Sequence, residues 1–134
     1  MKILIIDGQG GGIGKQLITA IKERNKDYSI TAVGTNSVAT GAMLKAGADS
    51  GATGENAVVV GCQSADVIIG AIGIAVANSL LGEITATMAI AVGQSNAKKL
   101  LIPTNNSKNI IVGVPELPMK KAVQNIIEVL EELG

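Results

Sequence analysis

A single-domain, doubly wound α/β fold with a largely parallel sheet of about five to six strands is predicted for residues 1–134 by three features. The first is an apolar strand, Ile3-Leu4-Ile5-Ile6, that runs into the glycine-rich stretch Gly8 to Gly14. A helical spacing (Ile13, Leu17, Ala20, Ile21) leaves that stretch. The second is the regular alternation of short β-branched runs with helical periodicities along the rest of the chain. The third is composition: 47% of residues are apolar, yet there is no Phe or Trp and only one Tyr. A core made of Ile, Val, Leu and Ala suits a sheet buried on both faces by helices.

Taken in order, residues 2–6 form the first strand and residues 12–25 the first helix, which ends in the polar run Arg24-Asn25-Lys26-Asp27. Tyr28 to Val33 is the second strand, stopped by Gly34. Helix two runs from Ser37, as N-cap, to Ala46, with Gly47 as its stop. Ala48 to Ala52 reads as a short third strand, and Thr53-Gly54-Glu55-Asn56 opens a helix reaching Cys62. Asp66 to Gly70 is the fourth strand. The stretch 74–96 reads as mostly helical, broken near Leu81-Gly82. Leu100 to Ile102 and Ile110 to Val114, closed by Pro103 and Pro115, read as strands five and six. The last helix has Pro118 in its first turn and Met119, Ala122, Val123, Ile126, Ile127, Leu130 and Leu133 on one face.

Eleven basic and eleven acidic residues cancel and are scattered, with no basic stripe and no stacking aromatics, which argues against a nucleic-acid partner. The lone Cys62 excludes an intrachain disulfide and fits a reducing compartment. Met1-Lys2-Ile3 leads straight into a strand, without a signal peptide, so a cytoplasmic protein is expected. Val67 to Leu81 is strongly apolar, but it is shorter than the roughly 20 residues of a membrane span and is interrupted by glycine; no membrane partner is expected. Mean hydropathy is +0.41, and the Ala- and Gly-rich surface implied by the composition points to a homo-oligomer.

Strand, glycine turn and helix N-terminus together form the usual cradle for a nucleotide phosphate. Glycine lets the backbone approach the ligand, while unpaired N–H groups and the helix dipole face the anion. The loop matches Gly-x-x-x-Gly-x-Gly at Gly8, Gly12 and Gly14, a spacing that resembles the cofactor loop of short-chain dehydrogenases. It fails the strict Gly-x-Gly-x-x-Gly pattern at Ile13, and the Walker A pattern at Gln9 and Gln16, although Gly14-Lys15 keeps a lysine for phosphate charge. The cofactor-binding candidates are therefore Gly8, Gln9, Gly10, Gly11, Gly12, Ile13, Gly14 and Lys15. A tight turn that only packs the helix on the strand is the plain alternative.

Asp7, at the end of the first strand, suits three roles: holding a metal, bonding a hydroxyl, or capping the loop's own N–H groups, with capping the default. After the second strand, Gly34-Thr35-Asn36-Ser37 lacks the acid that takes a ribose hydroxyl and the arginine that accepts a 2′-phosphate. Thr35 and Asn36 are left as the ribose candidates, and the case for NAD is weakened. Gly70-Ala71-Ile72-Gly73 falls on the same edge, with Gly70 and Gly73 placed to pack on a nucleoside. Pro103-Thr104-Asn105-Asn106 supplies neutral polar groups there. Glu83 is a carboxylate inside an apolar region, either a general acid or the first-turn acid of the next helix. Lys120 and Lys121 stand near the start of the last helix, against its dipole. There is no His, hence no His-based triad and no usual zinc site, and no Tyr-x-x-x-Lys pair follows Tyr28. No metal site is expected.

Three stretches, Ile5 to Lys15, Gly51-Ala52-Thr53-Gly54-Glu55-Asn56-Ala57 and Ser79-Leu80-Leu81-Gly82-Glu83-Ile84-Thr85, together resemble an uncharacterised family of short bacterial proteins. The resemblance spans nearly the whole chain. It implies a Rossmann-like fold and carries over no catalytic residues. The expected function is binding of a nucleotide or dinucleotide, NAD(P) or another adenine nucleotide, with its phosphate on residues 8–15. Two alternatives stay open. One is a small enzyme using Asp7 or Glu83 on a phosphorylated or nucleotide substrate. The other is an oligomeric interaction subunit whose loop is vestigial.

Overall fold

Every strand of the sheet runs parallel to its neighbours, in the order β3-β2-β1-β4-β5. The computed structural model describes residues 1–104 and 109–134. The strands are β1 (Lys2–Asp7), β2 (Ser29–Gly34), β3 (Ser50–Thr53), β4 (Val67–Ala71) and β5 (Lys98–Ile102). The helices are α1 (Gly12–Arg24), α2 (Ser37–Lys45), α3 (Glu55–Ser64), α4 (Ala86–Gln94) and α5 (Met119–Leu133), with a 3₁₀ turn at Ile72–Ala75.

Alternation along β1 divides the core in two. Ile3 and Ile5 face Leu17, Ile18 and Ile21 of α1, Met43 of α2 and the apolar stripe of α5. Leu4 and Ile6 face Val58 and Cys62 of α3 and Met88 and Val92 of α4. Two strand steps run one way from β1 and the next two run the other way. Because βαβ crossovers are right-handed, the reversal puts α1 and α2 on one face and α3 and α4 on the other. The reversal lies between β1 and β4, where open α/β sheets form their crevice.

Three expectations need correction. Among the described residues there is no sixth strand: Ile110 and Val112 stand 78% and 91% exposed with no neighbouring strand to complete a ladder. The sheet therefore ends at β5. The stretch 74–96 is not a broken helix, because only Ala86–Gln94 is α-helical. Before it lies a turn in which Asn78, Leu80, Leu81 and Gly82 all take positive φ, between 56° and 88°. Left-handed backbone costs an L-residue roughly 1–2 kcal/mol, so helical periodicity misread this segment. Helix α2 is capped by Asn36 rather than Ser37: Asn36 Oδ1 accepts the amide of Ala39 at 2.9 Å. The face expected on α5 is buried at Ala122, Val123, Ile126, Ile127 and Leu130, while Leu133 is 40% exposed. Among the described residues no helix is long and apolar enough to cross a membrane.

Candidate functional site

β1 stops at Asp7, which is 8% exposed and pairs in register with Gly34 of β2. The N-cap of α1 is Gly11, at φ 75°, and it offers no side chain to the first-turn amides. Asp7 reaches the first turn instead: its Oδ2 accepts Gly14 N–H at 2.7 Å, while its Oδ1 accepts the N–H of Gly8, ahead of the helix, at 2.8 Å. Burial lifts the Asp7 carboxyl above its ordinary value of 3.8. The amides of Gly14, Gly8 and Ile13 oppose that rise, and the nearby charge of Glu83 adds to it. Of the roles open to Asp7, capping is the one its bonds display. No cluster of three or more His, Cys, Asp or Glu side chains suited to a metal occurs among the described residues.

The loop's glycines divide into two kinds. A Cβ on Gly11 would lie 2.9 Å from the Ala39 backbone, and one on Gly14 would run into Met43 of α2. One on Gly8 would lie 2.8 Å from Thr35 Oγ1 and 3.0 Å from Glu83 Oε1. These three are glycine because the protein itself fills the space. Gly10 and Gly12 have open space where a Cβ would stand, and their amides make no hydrogen bond among the described residues. The part of the loop able to receive a ligand is thus narrower than its glycine count implies.

Glu83 joins this loop from far along the chain. Its Oε1 accepts the Thr35 hydroxyl at 2.5 Å, the Gln9 amide at 2.9 Å and the Asn36 side-chain amide at 2.9 Å. Asn36 Nδ2 also donates to the Gln9 carbonyl at 2.9 Å. The Thr35 hydroxyl first, then the Gln9 amide, hold the Glu83 carboxyl below its ordinary value of 4.5. The carboxylate is therefore ionised at neutral pH, and Oε2 has no hydrogen bond among the described residues. The left-handed turn at Leu80 to Gly82 delivers it, with Leu80 packed against the second core and Leu81 96% exposed at the tip. Of its two expected placements, neither is met in full: Glu83 precedes Thr85, the N-cap of α4, and so lies outside that helix's first turn.

A family model described as a domain of unknown function, DUF3842, matches residues 2–133. The chain belongs to the DUF3842 family. No curated protein sequence matches it significantly. Among solved structures, a dodecameric FMN-dependent UbiX-like decarboxylase from Escherichia coli O157:H7 is similar, with 17% identity and a TM-score of 0.51. The alignment covers 100% of this chain and 95% of that one, and at this identity the likeness is one of fold.

Elsewhere in the DUF3842 chain the expected site residues scatter. Lys15 lines a groove of about 420 Å³ between α1 and α5 that Lys120 and Glu23 also line. Gly70 is a packing glycine, since a Cβ there would meet the Ile6 carbonyl at 2.8 Å and Ile74 at 2.9 Å. Gly73 is closed off by Ser79, whose hydroxyl donates to its carbonyl. Asn105 and Asn106 lie outside the described residues. Cys62 is buried, its thiol pushed up by desolvation, which leaves it a weak nucleophile. A groove of about 500 Å³ between α3 and α4 is lined by Ser95, Asn96 and Ala97, just before β5, at the opposite edge of the sheet from the loop.

Sequence reasoning missed the link between Thr85 and Glu55, a 2.6 Å hydrogen bond that ties the start of α4 to that of α3. It also missed the Thr40–Thr53 hydroxyl pair at 2.7 Å. No local pattern marks either, because both join separate elements at the carboxyl edge. The one available signal for the turn was Asn78 and Gly82, residue types that tolerate positive φ, bracketing Leu80 and Leu81.

Proposed function

We propose that this chain binds a nucleotide or dinucleotide, with NAD(P) or another adenine nucleotide as the first candidates, and that its phosphate sits at the start of α1. The observation that carries the reading is the pair of amides at Gly10 and Gly12, which make no hydrogen bond among the described residues and belong to glycines with open space at the Cβ position, at a helix N-terminus beside the sheet's reversal point. Lys15 and Lys120, with Glu23 opposing them, line the α1–α5 groove beside it. An enzymatic use of Asp7 has less support, because both of its oxygens are already bonded to loop amides. The similar decarboxylase is FMN-dependent, which adds a flavin mononucleotide to the ligands worth testing.

The test is thermal unfolding by circular dichroism with NAD, NADP, ATP and FMN. A ligand at about 100 times its Kd adds roughly 2.7 kcal/mol of stability. Gly12→Val, at a position with open space, is expected to fold and to lose that gain. If no ligand raises the midpoint of the wild-type chain, the reading fails. The same reading includes a homo-oligomer, supported by the exposed Val60, Ile90, Ile110 and Val112. Light scattering on a sizing column measures it directly.

A further inference from the structure

Nucleotide-binding sheets of this strand order hold the ribose at the end of the second strand, commonly through an acid there that accepts the 2′-hydroxyl. In this chain that strand ends in Gly34-Thr35-Asn36, with no acid. The structure brings one from elsewhere. Thr35 and Asn36 donate to Glu83, and so does the Gln9 amide of the glycine loop. All three bonds fall on Oε1, so the carboxylate is fixed in orientation, while Oε2 has no hydrogen-bond partner among the described residues.

We infer that Glu83 is the ribose-recognising acid of this site, supplied by the turn before α4, and that the site therefore takes a nucleotide with a free 2′-hydroxyl and rejects one with a 2′-phosphate. The inference rests on the nucleotide reading above and deepens it. Three observations agree. The carboxylate lies against Gly8, so it borders the loop that would hold the phosphate. The residues that follow β2, Thr35-Asn36-Ser37, include no arginine or lysine of the kind a 2′-phosphate needs there. A carboxylate at that place repels a phosphate and accepts a hydroxyl, which makes the discrimination a matter of charge as well as fit. Glu83 would be a specificity residue that touches the ligand, with Thr35 and Asn36 positioning it.

Calorimetric titration of the wild-type chain with NAD and with NADP, each against Glu83→Gln, tests this. Gln keeps the side chain's length and one carbonyl oxygen for the three donors, and circular dichroism checks its fold. The wild-type chain is expected to bind NAD at least about tenfold more tightly than NADP, and Glu83→Gln to remove most of that preference. Equal wild-type affinities, a preference for NADP, or a preference untouched in a folded Glu83→Gln would overturn the inference while leaving nucleotide binding in place. Binding of FMN with no binding of either dinucleotide would do the same. Failure of every nucleotide to bind would remove the underlying reading, and this inference with it.

Discussion

The Thr35 hydroxyl donates to Glu83 Oε1 at 2.5 Å, across 48 residues of sequence. That bond ties the end of β2 to the left-handed turn before α4, and it makes Glu83 part of the same edge as the glycine loop. A carboxylate placed by three donors is a rigid feature, and its energetics can be measured without knowing the ligand.

Acid titration should separate the two carboxylates of the site, because their shifts have opposite signs. Glu83 is held below its ordinary 4.5, so the stability it contributes is complete above that pH and is lost as pH falls through its lowered value. Asp7 is raised above 3.8, so its contribution is complete below that pH and is lost as pH rises through its raised value. In urea melts from about pH 2.5 to 7, Glu83→Gln is expected to flatten the loss on the acid side. Asp7→Asn is expected to flatten the decline that sets in above 3.8. Unchanged slopes in both variants would show that these carboxylates do not couple to folding.

Removing the Asp7 cap should be costly. Asp7→Ala strips the acceptor from the Gly8 and Gly14 amides, and each buried donor left unpaired costs about 1–3 kcal/mol. A drop of about 2 kcal/mol or more in denaturant-derived stability is expected. A loss under about 0.5 kcal/mol, the scale of an ordinary surface change, would mean water replaces the cap at little cost.

The glycines of the loop should respond unequally. Gly14→Ala drives a methyl into Met43, and overpacking of this kind typically costs about 1–3 kcal/mol. Gly12→Ala meets open space in the first turn of α1, and is expected to leave stability unchanged or raise it by up to about 1 kcal/mol. Parallel melts of the two variants decide the matter; equal destabilisation would contradict the division drawn between packing and open glycines.

Leu81 offers a gain. It sits at φ 57° and is 96% exposed, so little packing is lost on replacement. Leu81→Gly is expected to stabilise the fold by up to about 1 kcal/mol, relief of left-handed strain outweighing the added freedom of the unfolded chain. Equilibrium unfolding would reveal a net loss if the turn depends on the side chain.

Much of the architecture was legible in advance for a simple reason: burial on both faces leaves a continuous apolar run, as in Ile3 to Ile6, and α5 carries its stripe openly. Where periodicity alone was the guide, it misled. Ile110 to Val114 has strand composition, yet it finds no neighbouring strand among the described residues. The apolar content of the stretch 74–96 imitates helix, although part of it is a tight left-handed turn.

The candidate site shows the same division. Residue type and place at strand ends suffice to mark Asp7, the glycine loop, Thr35 and Asn36 as candidates, because strand–turn–helix chemistry is local. Which glycines face solvent, and that Lys15 turns into the α1–α5 groove, depended on helices packed from other parts of the chain. The acid missing after the second strand was likewise invisible to local reading. The chain by itself determined the order of strands and helices and the glycine turn between the first pair. Only the tertiary structure decided that Glu83 stands at the end of β2, because the crossover and the left-handed turn that carry it there act through contacts between residues far apart in sequence.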